Sequence, residues 1–354
     1  MNVTITDIAN ATGLSTATIS KYLNNRKIRD ENRILIEKAI LELGYTPNRS
    51  AQLLRAKKTR TIGILISDLG NCFWGSLINA IIRYLAQYNY AVIVYSFFFD
   101  HQREIVTIQD IIAQHFDGVI MLPSGRQDNL YHFLQEAQIP VVMLDQIPDS
   151  FKVFNVDCVI SDNYKGGTLL AEHLLQKGHT RVCIMEQYLN SYTIEQRIRG
   201  FTDVYEREGI CILRQQDFSM PVSFGELTDT SDYSRVHLLR LIDSPNPPTA
   251  VFFDCYISAI GGLSAASSMR LSVPQDISFV SFDDNPLFKT MSTAMTCVSQ
   301  NLKSMGEHAS EILLQRIHGD YTDFPKVDII DVEFHPRCSV KDLAGTVNIR
   351  KDKL

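Results

Sequence analysis

Long apolar runs are missing from this 354-residue chain. The longest, "YAVIVYSFFF" (90–99), stops at ten residues, short of the roughly 18 that a membrane-spanning helix needs. The opening "MNVTITDIAN" lacks a basic-then-apolar leader. Seven cysteines, an odd number, include no CxxC pair, which argues for reduced and mostly buried thiols rather than a disulfide framework or a zinc site. No His/Cys/Asp/Glu cluster has metal-ligand spacing, and no segment is of low complexity. "NYKGGT" (163–168) is not a phosphate loop of the GxxxxGK(S/T) type, because Lys165 precedes both glycines. These absences point to a cytoplasmic globular protein of two or three domains, without metal or cofactor and without a membrane partner.

Positive charge is scarce overall, with a formal net charge of -6, and it is unevenly placed. Residues 1–60 hold 11 Lys+Arg against 5 Asp+Glu, whereas the remainder holds 23 against 35. A basic head on an acidic body fits a chain in which only the head meets a polyanion. A solvated face without function fits the same charges.

Four helical pieces can be read in the head. "TITD" (4–7) has capping-box form, so a first helix is expected over about 5–11. Gly13 breaks it, and Ser15 is placed to cap a second helix over about 16–24. A third begins after Asp30, with Ile36, Ala39, Ile40 and Leu43 on one stripe, and ends at Gly44 with Pro47 beyond. "PNRSAQLLRAKK" (47–58) offers a fourth of about two turns, capped by Asn48 and too short to be stable alone in water.

Two helices joined by a tight turn and braced by a third form a helix-turn-helix, whose second helix enters the major groove in DNA-binding versions. Its outer face would present Thr16, Ala17, Ser20 and Lys21. Two of these are small enough for close approach; the hydroxyl and the amine can reach base edges or phosphate. Asn24 is a further candidate at the helix end, and Arg26, Lys27, Arg29 and Arg49 are candidates for the phosphate backbone. A small bundle of this kind can also bind protein.

From Thr61 the period changes. "TIGILIS", "AVIVYSF", "GVIMLP", "PVVMLD", "RVCIME", "AVFFD" and "ISFVSF" alternate with helical stretches. Such Val/Ile-rich runs without alternation read as parallel strands covered on both faces. The expected fold is a small all-α head plus an α/β body of two doubly wound parallel-sheet lobes, with a helix near 301–317 and one strand near 327–334. The domain bounds are 1–46 for the helix-turn-helix and 47–59 for a hinge. The first lobe takes 60–157 plus about 299–330, the second 158–298 plus about 331–339, and 340–354 is a tail without leucine heptads.

Ligands of open α/β sheets lie beyond the carboxyl ends of the strands. Asn71, Phe73 and Trp74 follow the first strand with Asp68; Asp145 and Gln146 follow "PVVML"; Arg197, Phe218, Asp283 and Gln300 stand at comparable places. Rings cover apolar faces, while carboxylates, an arginine and an amide make directional bonds, a set that suits a hydroxyl-rich ligand. Each residue has a plainer reading: Phe73 and Trp74 as core aromatics, Asp145 and Asp283 as helix caps, Arg197 as a structural ion pair.

"TITDIANATGLSTATISKYLNN" followed by "ILELGYTPNRSAQLLRAKKTRTIGILISD" resembles the lactose-repressor (LacI/GalR) family of bacterial transcription regulators. The likeness continues through "SDNYKGG", "HLLQKGHTRV", "RIRGF", "ISFVSFDD" and "MGEHASEILL" to "RCS", covering about residues 4–339. It implies a homodimer on a near-palindromic operator and a body of periplasmic-binding-protein type holding a small effector, a sugar or sugar acid. It places Thr16, Ala17 and Lys21 at base-reading positions, with Lys21 a departure from the usual Arg; lysine lacks the planar fork for bidentate guanine contact. It makes 48–55 a hinge helix, with Leu54 wedged into the minor groove and Ala51 small enough for its twin to approach, and the two-turn length of that helix leads us to expect that it folds on the operator. Phe73, Asp145, Arg197, Phe218, Asp283 and Gln300 match effector-contact positions.

One departure is larger. Aligned on "AIGG" (259–262), Cys255 and Tyr256 stand where the family usually has Asn-Asp, so a thiol and a phenol replace an acceptor pair, with Asp254 one residue earlier. Tyr256 therefore joins the candidate effector contacts. An enzyme reading fails on Ser264, which falls inside a predicted helix rather than on a strand–turn–helix elbow. Control by a protein co-regulator instead of a small ligand stays open, as does a sugar-binding protein without a DNA role.

Overall fold

The computed structural model describes residues 3–23, 26–45, 59–70, 72–98, 100–122, 130–147, 155–186, 191–214 and 230–344. The chain divides into two units, Met1–Thr59 and Arg60–Leu354.

In the first unit, α1 (Ile5–Thr12), α2 (Thr16–Leu23) and α3 (Asp30–Leu43) follow the sequence closely. Thr4 and Asp7 form the expected capping box, and Gly13 ends α1 in the left-handed conformation at φ 69°. Ser15 Oγ accepts from Thr18 N at 3.2 Å at the start of α2. Gly44 ends α3 at φ 64°. Ile8, Ala9, Ile19, Ile36, Ala39 and Tyr45 make the small core. The stripe on α3 weakens at its end, where Leu43 is 37% exposed. The expected hinge helix lies outside the described residues.

The second unit holds two six-stranded sheets. The first contains β1 (Thr61–Ile66), β2 (Ala91–Ser96), β3 (Gly118–Met121), β4 (Val141–Leu144), β5 (Asp157–Ser161) and β11 (Val327–Ile330). Their spatial order is β11-β5-β4-β3-β1-β2, and every pair is parallel. On one face Trp74, Leu77, Ile81 and Leu85 of α4 (Cys72–Ala86) pack with Met305, Ala309 and Leu313 of α12 (Leu302–Ile317). On the other, Ile108 and Ile111 of α5 (His101–Ala113) pack with Tyr131 and Leu134 of α6 (Tyr131–Glu136).

The second sheet contains β6 (Val182–Met185), β7 (Leu213–Arg214), β8 (Ala250–Phe253), β9 (Ser278–Phe282), β10 (Thr296–Gln300) and β12 (Val332–His335), in the order β12-β10-β9-β8-β6-β7. Only β12 runs antiparallel, against β10. Leu170 and Leu174 of α7 (Asn163–Gln176) and Ile198 and Phe201 of α8 (Tyr192–Arg207) cover one face. The opposite face is covered by α9 (Thr230–Ile242), α10 (Tyr256–Ser268) and α11 (Pro286–Thr290), through residues such as Leu238, Ala259 and Phe288. Two sheets, each with helices on both faces, are the doubly wound lobes expected from the unbroken apolar runs.

The crossings between lobes fall later than the sequence bounds of 157 and 299. Residues 158–161 pair in parallel with 327–330, so β5 belongs to the first sheet and the first crossing is at Asp162. β10 stays in the second sheet through Gln300 and crosses at Asn301. The single strand expected near 327–334 is two strands, split at Asp331, where the chain changes sheets. The tail is tied to the second lobe as far as it is described: Lys341 N donates to Ser278 Oγ at 2.9 Å and Leu343 N to Lys177 O at 2.8 Å. All seven cysteines are free, and four are buried. Among the described residues no helix is long and apolar enough to cross a membrane, and no group of acidic, His and Cys side chains could hold a metal ion.

Candidate functional site

The head presents the face that the sequence suggested. Ile19 is fully buried against the other two helices, which turns Thr16, Ala17 and Lys21 outward and leaves Ser20 half-buried at the margin. Tyr22 OH donates to Glu37 Oε1 at 3.2 Å and ties α2 to α3. Arg26, Lys27 and Arg29 beyond α2 are exposed. The bundle thus offers one small-residue helix face beside three cations, a combination suited to close approach and phosphate attraction. Asn24, Arg49, Ala51 and Leu54 lie outside the described residues.

In the body, residues from both lobes meet around Arg197. Its place is set by close helix packing. A Cβ at Gly167 of α7 would collide with the Arg197 carbonyl oxygen, and one at Gly200 of α8 with the carbonyl of Tyr164. Two glycines therefore let the helices touch backbone to backbone and bring the guanidinium beneath the strand ends. Arg197 Nε donates to Asn163 Oδ1 at 2.8 Å and Nη1 to the carbonyl of Asp254 at 2.9 Å. Nη1 also stands 3.6 Å from Asp283 Oδ2, and the guanidinium lies 3.9 Å from the centre of the Phe282 ring.

Asp283 Oδ1 accepts from Gln300 Nε2 at 2.6 Å, and Gln300 Oε1 accepts from Ser161 Oγ at 2.6 Å. Asn163 Nδ2 donates to the Ser161 carbonyl at 2.8 Å. The contacts close into a ring: Ser161, Gln300, Asp283, Arg197, Asn163 and back to Ser161. Buried polar groups satisfied in this way hold one another in a single arrangement.

Asp145 faces this ring from the exit of β4. It and Asp283, at the exit of β9, have φ of 56° and 68°, left-handed values that non-glycine residues seldom adopt. Asp145 Oδ1 is shielded from solvent and has no hydrogen-bond partner among the described residues. Burial pushes its carboxyl up to about 7; Arg197 pulls it down and Asp283 pushes it further up. An unsatisfied buried acceptor with a raised pKa beside a cleft is the pattern of a ligand-binding group.

Phe73 is half-buried and packs against the cores of both lobes. Trp74 does not face the cleft. It is 6% exposed and points with Leu77, Ile81 and Leu85 into the first-lobe core, edge-on to Phe73 at 4.8 Å. Helical spacing sends adjacent residues in different directions, so only one of the aromatic pair reaches the lobe boundary. Asn71 and Phe218 lie outside the described residues.

Cys255 and Asp254 turn away from ligand chemistry. Cys255 caps α10, its Sγ accepting from Ser258 N at 3.4 Å, and burial pushes its thiol up. Asp254 is fully buried and accepts from Ser258 Oγ at 3.0 Å. Tyr256 reaches across the cleft, its hydroxyl oxygen accepting from Cys72 N at 3.3 Å. From the first lobe, Gln146 Oε1 accepts from Tyr192 N at 3.0 Å. Ser161 and Asn163 were not singled out from sequence. Both stand inside "SDNYKGG", Ser161 as its first residue and as the end of a strand that the pattern did not reveal.

Comparison with known proteins agrees with this fold. Residues 4–48 match the model of bacterial regulatory proteins of the lacI family, and residues 59–338 match that of periplasmic binding proteins and the sugar binding domain of the LacI family. A curated relative, the HTH-type transcriptional repressor PurR of Vibrio vulnificus, is 27% identical, with 98% of this chain and 99% of the relative covered. The PurR repressor of Escherichia coli O139:H28 is 28% identical, with 94% of each chain covered. Among solved structures, the lac repressor dimer bound to operator and the anti-inducer ONPF is similar at a TM-score of 0.81 and 23% identity, with 96% and 100% of the chains covered. The complex of the transcriptional regulator CelR with cellobiose is similar at a TM-score of 0.69 and 22% identity, with 96% and 100% covered. With a helix-turn-helix unit matched over residues 4–48 and a two-lobed, periplasmic-binding-protein-like body matched over residues 59–338, the chain belongs to the LacI family of DNA-binding bacterial transcription regulators.

Proposed function

We propose that the protein is a homodimeric repressor that binds a near-palindromic operator, one head per half-site, under the control of a small molecule held between the lobes. The observation that carries the effector reading is the convergence of Asp145, Asp283, Arg197 and Gln300 from strand exits and a helix of both lobes. Polar groups fixed at the carboxyl ends of parallel strands, with Phe73 alongside, suit a hydroxyl-rich ligand such as a sugar or sugar derivative. Two of the Arg197 nitrogens already donate to the protein while Asp145 offers an open acceptor, so a neutral polyol suits the cleft better than a sugar acid. Thr16, Ala17, Ser20 and Lys21 read base edges, and the neighbouring cations hold phosphate. Asn24 and Arg49 add contacts there, and paired hinges carry Ala51 and Leu54 to the operator centre. Acting on the chromosome places the protein in the cytoplasm.

The test combines selection of bound genomic fragments at low ionic strength with a thermal-shift panel of sugars, sugar acids and nucleobases. The expected result is a two-fold-symmetric site whose affinity changes with a ligand that also raises Tm. A ligand at about 100 Kd adds roughly 2.7 kcal/mol. Absence of any preferred DNA fragment would overturn the regulator reading. A stabilising ligand that leaves operator affinity unchanged would overturn the allosteric part.

A further inference from the structure

Strand order sorts the residues around the cleft by chemistry. Counted outward from the crossings, the first sheet runs β5, β4, β3, β1 and the second β10, β9, β8, β6. The exits nearest the crossings are polar: Ser161 ends β5, Gln300 ends β10, Asp145 follows β4 and Asp283 follows β9. Farther out the groups change. After β8, Asp254 Oδ1 accepts from Ser258 Oγ at 3.0 Å and Cys255 Sγ from Ser258 N at 3.4 Å, so both are turned back into their own lobe. Tyr256 instead extends to the start of α4, where its oxygen accepts from Cys72 N at 3.3 Å. After β1, Asp68 Oδ1 accepts from Gly70 N at 3.0 Å within its own turn, and Phe73 is half-buried against the cores of both lobes. Among the described residues, Phe73 and Tyr256 thus make the outer side of the cleft aromatic, and Glu186 follows only at β6, one strand beyond.

We propose that the effector is a sugar carrying an aromatic group, an aryl glycoside or a nucleoside, with its hydroxyls toward Asp145 and Asp283 and its aromatic ring toward Phe73 and Tyr256. This deepens the reading of the cleft as the effector site and rests on it. Sugar hydroxyls need directional partners, which the crossing side supplies; a hydroxyl set against the outer rings would go unmet, at a cost. A flat ring placed there meets carbon and finds the offset or edge-on geometry that aromatic pairs favour, which an alkyl group does not. The chain's single tryptophan, Trp74, stands edge-on to Phe73 at 4.8 Å and so reports on a ring that settles beside it.

The test uses matched probes on the full-length protein, read by Tm shift and by Trp74 emission. Galactose and glucose are compared with their methyl and phenyl glycosides, and ribose with adenosine and cytidine. The expected result is that an aromatic derivative binds about tenfold or more tighter than its parent sugar and changes Trp74 emission. The phenyl and nucleoside arms tell the two sources apart. F73L and Y256A, each measured against its own ligand-free Tm, should shrink that preference. A free sugar that binds as tightly as its aromatic derivative would overturn the inference and leave the reading of the cleft standing. A preference that both variants keep in full would do the same, because the ring would then sit elsewhere. Should no sugar and no derivative stabilise the protein, the reading of the cleft falls and the inference with it.

Discussion

Ser161 Oγ donates to Gln300 Oε1 at 2.6 Å and so joins the last residues of two strands that belong to different sheets. The ring that runs on through Asp283, Arg197 and Asn163 therefore spans two of the three places where the chain passes between lobes. A contact made to any of its members acts on the crossings, which is where relative movement of the lobes has to be absorbed.

Arg197 is the ring's one cation, 4% exposed. R197M strands Asn163 Oδ1 and the Asp254 carbonyl without their donor and leaves the Asp283 carboxylate without its neighbouring cation. The expected cost is about 3–5 kcal/mol in denaturant unfolding. R197K should recover only part of it, because an ammonium lacks the planar fork. A loss below about 1 kcal/mol would contradict the geometry.

Asp145 ties stability to pH. Its native carboxyl keeps its proton up to about 7, whereas the ordinary value for an aspartate is 3.8. The native state therefore binds the extra proton between these values, and this group's contribution to stability falls as pH rises through that window and levels off above it. D145N removes the dependence, so its gain in Tm should be larger at pH 8 than at pH 5. Equal shifts at the two pH values would show that the carboxyl is not held neutral.

A second buried ion pair serves the frame rather than the cleft. Arg316 Nε and Nη2 donate to the Asp157 carboxylate at 2.8 and 3.0 Å, and both side chains are 1% exposed. R316M leaves the buried carboxyl of Asp157, the first residue of β5, without its cation and should cost about 3–5 kcal/mol. Adding D157N should restore a part of it, and a double-mutant cycle with zero coupling would contradict the pairing.

The α7–α8 contact admits no side chain at its centre. G167A drives a methyl group into the Arg197 carbonyl and should lower stability by about 1–3 kcal/mol or more. Thermal unfolding measures it; a neutral effect would mean that the helices separate freely.

Lys21 is exposed on the outer face of α2. K21A should weaken binding to a selected operator by about 1–3 kcal/mol and relax preference at one base position, whereas K21R should sharpen preference for guanine there. Binding titrations on operators varied at single positions check both, and an unchanged preference in K21A would place the side chain off the bases.

Much of the head could be read directly. The Thr4–Asp7 box, the Ser15 cap and the left-handed Gly13 and Gly44 are local devices whose chemistry lies within four residues of sequence. The parallel strands were equally plain where they are long apolar runs. The crossing strands were not: β5 "DCVIS" and β10 "TCVSQ" mix polar residues into short segments, and β11 and β12 share one run broken only by Asp331. Trp74 and Phe73 looked alike as neighbours beyond a strand, and helix rotation alone separated the core residue from the boundary residue. Cys255, which aligns with the family's usual Asn-Asp pair, is a helix cap, because the position beyond β8 also begins a helix.

By itself the sequence determined the helices of the head, the long apolar strands of the body with their order, and the family, since capping, periodicity and apolar run length act between near neighbours in the chain. Tertiary structure alone decided how the cleft is wired: which residues close the ring through Ser161, that Asp145 Oδ1 has no hydrogen-bond partner among the described residues, and that Tyr256 reaches Cys72. Those contacts join residues as far as 184 positions apart, and no local energy term records them. They exist only after packing of Gly167 on Arg197 and of α4 on the first sheet has brought the strand exits together.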